Sequence, residues 1–200
     1  MQWFRNLKTA TKLLFGFALV GAIMAGVGYL GIRNMGSINT GVQEVYEQHL
    51  LAIKTIAEAR GQTHQIRGWI LQHAIEHGPA KMDRLAAQIR DGYRFIEERI
   101  GQVGQMRLTQ QEREALGAFK AAVAAYKAYF TDDFLPKSTR GKKKEAYNLV
   151  LNKGRNWYQA SVAAVNALID LKNKTAKGRY EEAQAVYSRS RILMLGFIAW

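Results

Sequence analysis

Arg60, His64 and Arg67 stand four and three residues apart, a spacing that puts all three on one face of a helix. Potential cations so placed repel by about 0.2–0.5 kcal/mol per pair unless an anion or an acidic neighbour offsets them. A guanidinium offers a planar, two-pronged fork to a carboxylate, so such a face suits a small organic anion. The plainer use of the same residues is solvation, with the Arg60 and Arg67 stems laid along an apolar stripe and their heads in water.

A second group is His73-Ala74-Ile75-Glu76-His77. Two imidazoles at i and i+4 on one helix face could hold a transition metal or titrate near neutral pH, although two nitrogens and one carboxylate leave the first shell incomplete. The order is not that of the zinc proteases, which place Glu directly after the first His. At a helix end such a pair is ordinarily solvated. Trp69, Tyr126, Tyr129, Tyr147, Trp157 and Tyr158 form a third set; at helical spacing they can line a pocket or fill a core. No nucleophile, base and orienter occur in a recognisable order, and the strand-turn-helix feature that usually carries a hydrolase nucleophile is missing from the pattern. The expectation is a protein that binds rather than catalyses and needs no cofactor. With no cysteine in the sequence, packing alone must hold the fold.

The elements that position these residues begin with Leu13 to Ile32, LLFGFALVGAIMAGVGYLGI, twenty residues without a charge. At about 1.5 Å per residue they cover roughly 30 Å, the thickness of a bilayer core, and so predict a transmembrane helix. Arg5, Lys8 and Lys12 precede it and no acidic residue occurs before Glu44. The positive-inside bias then places 1–12 in the cytoplasm and 33–191 outside. A cleaved signal peptide shares the basic start, but its apolar region is shorter and ends at a small-x-small site, which Ile23-Met24-Ala25 is not. Ile192 to Trp200 is apolar again, too short to span, and reads as the start of a second membrane helix. Arg189 and Arg191 on its outer flank oppose the charge bias; the first helix and its flank usually dominate. Ala18, Ala22 and Gly26, at steps of four, offer a small-residue face on which two such helices could pack.

Between the apolar ends, 33–191 holds all 16 acidic residues and a net charge of +10. A basic balance often signals nucleic acid, but an exported domain meets little of it, leaving anionic solutes as partners. Ile38, Val42, Val45, Ala52, Ile53, Ile56, Ala59, Thr63, Ile70 and Ala74 recur at steps of three and four and predict one long helix ended by Gly78-Pro79. A second helix follows through Met82, Leu85, Ile89, Ile96, Ile100 and Val103. Thr109-Gln110-Gln111-Glu112 reads as a capping box that opens a third, through Leu116, Phe119, Val123, Tyr126, Phe130 and Phe134. Leu135-Pro136 should stop it. Lys137 to Lys144, with five cations in eight residues, predicts a solvated connection held open by its own repulsion. A fourth helix from about Glu145 runs into the second apolar segment. Only two prolines interrupt the chain, and the short connections make an all-α, up-down-up-down antiparallel four-helix bundle.

The opening MQWFRNLKTATKLLFGF, Gly31-Ile32-Arg33 with Ile38-Asn39, Leu50-Leu51-Ala52-Ile53, Ile66-Arg67, Leu108-Thr109-x-x-Glu112 and Leu168-Ile169-Asp170-Leu171 together resemble the sensory half of bacterial methyl-accepting chemotaxis proteins of the four-helix-bundle class. The resemblance implies a homodimeric periplasmic module in the inner membrane that acts, through a cytoplasmic region, on a histidine kinase and its coupling protein. It further implies a carboxylate ligand held at the dimer interface by arginines of the first helix near the start of the fourth. Arg67, in the matching Ile-Arg context, would be the clamp, with Arg60 and His64 beside it and Arg155, Trp157 and Tyr158 facing it. Similar modules precede histidine kinases and diguanylate cyclases, so the output rests on analogy; this bundle could instead sense mechanical or envelope state through protein contacts, or respond through energy state or an accessory binding protein with no direct ligand.

Overall fold

The computed structural model describes residues 8–198. Among them there is no strand, and the helices form four runs. α1 is Thr9–Ile75, with one wider π turn at Val45–Leu50. α2 is Pro79–Gly104. α3 covers 110–139, as Gln110–Ala128, a π turn at Tyr129–Phe134 and Leu135–Thr139. α4 covers 143–198, as Lys143–Leu149, a π turn at Val150–Gly154 and Arg155–Ile198. The chain divides into two compact units, 46–177 and the pair of stretches 1–45 and 178–200.

In the latter unit the Thr9–Glu44 part of α1 buries no side chain. Phe17, Leu14 and Ile32 stand 74%, 70% and 75% exposed, an apolar surface that water does not tolerate at this density. Among the described residues α1 is the one helix long and apolar enough to cross a membrane. Ala18 and Ala22 are exposed on it, and a side chain added at Gly26 would meet nothing. The cytoplasmic start expected at 1–12 lies outside the described residues up to 7, as does the end of the second span expected at 192–200.

The 46–177 unit is a four-helix bundle. Its core interleaves Ile56, Ile66 and Ile70 of α1, Ile89, Tyr93 and Ile96 of α2, Phe119, Tyr126, Phe130 and Phe134 of α3, and Val150, Val165 and Leu168 of α4. α1 and α2 approach so closely at Gly92 that a Cβ there would lie 2.7 Å from Gln62 Nε2 and 2.9 Å from Ile66 Cγ1; the α1–α2 packing needs glycine at this point. Thr109 caps α3 as its sequence predicts. Its backbone N–H donates to Glu112 Oε2 at 2.9 Å and its hydroxyl accepts from the Glu112 N–H at 3.2 Å. Glu112 then meets Lys172 Nζ of α4 at 3.2 Å, and both side chains are almost wholly buried. Lys172 occupies the core stripe four residues after Leu168.

Two boundaries differ from the sequence expectation. Pro136 does not stop α3, which continues to Thr139. The π turn just before it restarts the hydrogen-bond ladder, so the proline falls in the first turn of the new segment, where a missing N–H is harmless. The basic stretch 137–144 is not a solvated connection either. Only 140–142 turns, around Gly141 at φ 77°. Ser138 is fully buried and Lys143 half-buried. The cause is the end of α1: with the helix finished at Ile75, the His73 carbonyl has no helical donor. It accepts instead from Ser138 Oγ at 3.2 Å and Lys143 Nζ at 3.3 Å. Satisfying a buried carbonyl outweighs the mutual repulsion of exposed cations.

Candidate functional site

Within the bundle α1 and α4 run antiparallel, and this brings Arg60, His64 and Arg67 of α1 onto α4 in order. Arg60 donates to Asn166 Oδ1 at 3.2 Å. His64 Nδ1 lies 2.7 Å from the Tyr158 hydroxyl. The Arg67 guanidinium lies over the Tyr158 ring, 4.6 Å from its centroid, a cation–π distance. Arg60 and Arg67 are half-buried rather than solvated.

Arg67 also reaches inward. Its Nη1 is buried and donates to no acceptor in the bundle. Tyr126 and Tyr129 of α3 and Tyr158 of α4 interact with Arg67, and Tyr93 of α2 joins the group through Tyr126. Tyr93 and Tyr126 meet edge to face at 6.0 Å, Tyr126 stacks on Tyr129 at 6.1 Å, and Tyr126 is 6.4 Å from Tyr158. The Tyr93 and Tyr129 hydroxyls are likewise buried without a partner. Burial pushes the Tyr93, Tyr126 and Tyr129 phenols well above their usual range, and the Arg67 guanidinium opposes the rise, at Tyr126 by its charge and a side-chain hydrogen bond and at Tyr129 by its charge. All three therefore stay protonated and present neutral O–H donors. A half-buried guanidinium with a vacant N–H, beside hydroxyls with unused hydrogen-bonding capacity, forms a polar cluster inside an apolar bundle.

The other sequence candidates are placed less favourably. Trp157 is half-buried against the core and its carbonyl accepts from Ser161. Arg155 is exposed and joins none of these contacts. Trp69 is half-buried against the core, while Tyr147 is 41% exposed. His73 and His77 do not share a helix face: α1 ends at Ile75, and Glu76 turns extended at ψ 140°. His73 is buried with Nδ1 2.9 Å from Ser138 Oγ, whereas His77 is exposed with Nδ1 2.9 Å from the Ile75 carbonyl. The i, i+4 ligand geometry expected of them is lost with the last helical turn. No group of three or more His, Cys, Asp or Glu is arranged to hold a metal among the described residues.

Sequence reasoning missed Tyr93, although it completes the step of four from Ile89 and of three to Ile96. A tyrosine in an apolar stripe is the available signal that a core position carries a hydroxyl. Lys143 was hidden within its run of cations, and Ser138 had no signal.

No curated protein matches the sequence. The family model described as a four helix bundle sensory module for signal transduction matches residues 6–187, a stretch that includes the apolar part of α1, the whole bundle and the Arg67 cluster. The chain therefore belongs to the family of four-helix-bundle sensory modules for signal transduction.

Proposed function

We propose that this chain is the sensory half of a chemoreceptor-type protein of the bacterial inner membrane, with its N-terminus cytoplasmic and its bundle periplasmic. It works as a homodimer that recognises a small organic anion through Arg67. The observation that carries this reading is the buried, unpartnered Nη1 of Arg67. A guanidinium nitrogen kept from both water and acceptor is costly, and a carboxylate placed there would relieve that cost. His64 and Tyr158 supply polar neighbours and fix the direction of approach, and Arg60 adds positive charge about two helical turns away. Ala18, Ala22 and Gly26 are the proposed membrane contact between the two copies.

Signalling follows from differential affinity. An anion that favours one arrangement of α4 against α1 shifts the population of the two by no more than the difference in its binding free energy, commonly about 1–3 kcal/mol. Swimming bias, set by a kinase and its coupling protein, is the proposed output.

Titration calorimetry of the full chain in lipid nanodiscs against a panel of mono-, di- and tricarboxylates tests the site. At least one acid is expected to bind, and Arg67→Ala to weaken it by tenfold or more. An unchanged affinity in that variant would rule out the clamp. A reporter enzyme joined at residue 120 tests the orientation and must be active only on the periplasmic side. A chimera joining this chain to a chemoreceptor signalling domain should change its swimming bias with the same acids.

A further inference from the structure

The far end of the bundle contains a cavity of about 410 Å³ between the α1–α2 and α3–α4 turns, lined among others by His77, Met82, Asp83, Ser138, Thr139 and Lys143. Its volume lies within the range of small-molecule sites. Arg67 is six residues back along α1 from His73, about 9 Å at 1.5 Å per residue, and does not line this cavity.

The electrostatics of the lining are incomplete in a specific way. Lys143 Nζ is held by three neutral acceptors at long range: the His73 carbonyl at 3.3 Å, Ser138 Oγ at 3.2 Å and Met82 Sδ at 3.4 Å. No carboxylate pairs with it among the described residues. Glu76, the carboxylate whose charge acts on it, is committed elsewhere, to Lys81 at 2.7 Å and to the N–H groups of His77 and Gly78 at 3.0 Å each. Burial lowers the Lys143 ammonium below its ordinary pKa, with Glu76 opposing, as expected of a cation with too little compensating charge. Ser138, fully buried, is fixed by His73 on its other side. This floor is rigid and polar, and it presents a cation. On the same lining Asp83 is an exposed carboxylate that forms no ion pair among the described residues.

We propose that this cavity is a second ligand site, separate from Arg67, for a small hydroxy acid whose carboxylate takes Lys143 Nζ and whose hydroxyl donates to Asp83. An acid without the hydroxyl would gain the first contact and leave Asp83 facing its carboxylate with nothing to bridge them. The site thus selects for a carboxylate with a donor beside it.

The test is titration calorimetry on the full chain carrying Arg67→Ala, in nanodiscs, with glycolate, lactate and malate against acetate and propionate; with the first site disabled the heats report this cavity alone. The hydroxy acids should bind at least tenfold more tightly than the other two. Lys143→Met added to this background should abolish that binding, and Asp83→Asn, on an exposed face of α2 where folding is not at stake, should reduce the hydroxy acids to the level of acetate and propionate. Equal binding of acetate and the hydroxy acids, an unchanged preference in Asp83→Asn, or no binding of any hydroxy acid in the Arg67→Ala background would each overturn the proposal.

Discussion

Gly154, the last residue of the π turn in α4, lies directly against Tyr129, the first residue of the π turn in α3: a Cβ on Gly154 would stand 2.7 Å from the Tyr129 hydroxyl oxygen and 2.9 Å from its Cζ. The Tyr129 ring is buried and stacked on Tyr126, so it cannot swing aside. Helix propensity alone would make Gly154→Ala stabilising by about 1 kcal/mol. Overpacking of a core this tight costs about 1–3 kcal/mol and should win. The expected result is a fall in Tm of a few degrees by far-ultraviolet circular dichroism, and a Tm above wild type would show that the two π turns do not depend on each other.

The buried Glu112–Lys172 pair should be sensitive to loss of one partner. Lys172→Met leaves a carboxylate without its counter-charge in the bundle interior and should destabilise by about 3–5 kcal/mol. Glu112→Gln keeps the acceptor for the Thr109 N–H and should cost less. Denaturant unfolding of both variants decides the order.

Acid should unfold the bundle in two stages. Burial, with Lys143 second, lowers the His73 pKa, so its contribution is present above pH 6.5 and lost as pH falls below that value toward the folded pKa. Glu76, hydrogen-bonded first of all to Lys81, falls to about 2. Burial pulls the Glu112 pKa up, but the Thr109 N–H and Lys172 outweigh it, and the net direction is down from 4.5. Both carboxylates therefore contribute stability above about pH 4.5 that is lost as pH falls through their folded pKa values. Stability measured against pH should decline below about 6.5 and more steeply below about 4.5; His73→Gln should remove the first stage and leave the second.

Tyr158→Phe removes the hydroxyl 2.7 Å from His64 Nδ1 but keeps the ring under Arg67. The loss in stability should stay near 1 kcal/mol. Affinity for an acid bound at Arg67 should drop by less than in Arg67→Ala, and a larger drop would move the principal contact to Tyr158.

Thr109→Ala deletes one half of the reciprocal cap at the start of α3 and should cost about 1 kcal/mol. Thr109→Ser, which keeps the hydroxyl, should cost less than half of that in the same thermal melt.

The helix count, the capping box and the Gly78-Pro79 break were legible because each follows from local chemistry: apolar spacing, a side-chain oxygen at the right distance, a ring that fixes φ. The face shared by Arg60, His64 and Arg67 was legible for the same reason, and α4 meets it at Asn166 and Tyr158. Part of what escaped depends on partners far along the chain. Lys143 turns inward only because α1, 70 residues earlier, ends with a free carbonyl. His77 and Pro136 escaped for local reasons that apolar spacing does not carry: the chain turns extended at Glu76, whose carboxylate takes the His77 and Gly78 N–H groups, and a π turn ends just before Leu135-Pro136.

Each π turn holds one residue more than the α-helix around it, and in an α-helix a single residue sets everything beyond it round by about 100°. Among the described residues the turns at 45–50, 129–134 and 150–154 are thus the places where a one-codon deletion could be absorbed by tightening the local ladder, leaving the downstream faces in phase. The same deletion at Ala163, beyond the π turn of α4, would turn the later core residues Val165 and Leu168 out of phase by about 100°. Length variation among relatives of this module should concentrate where the ladder is already wide.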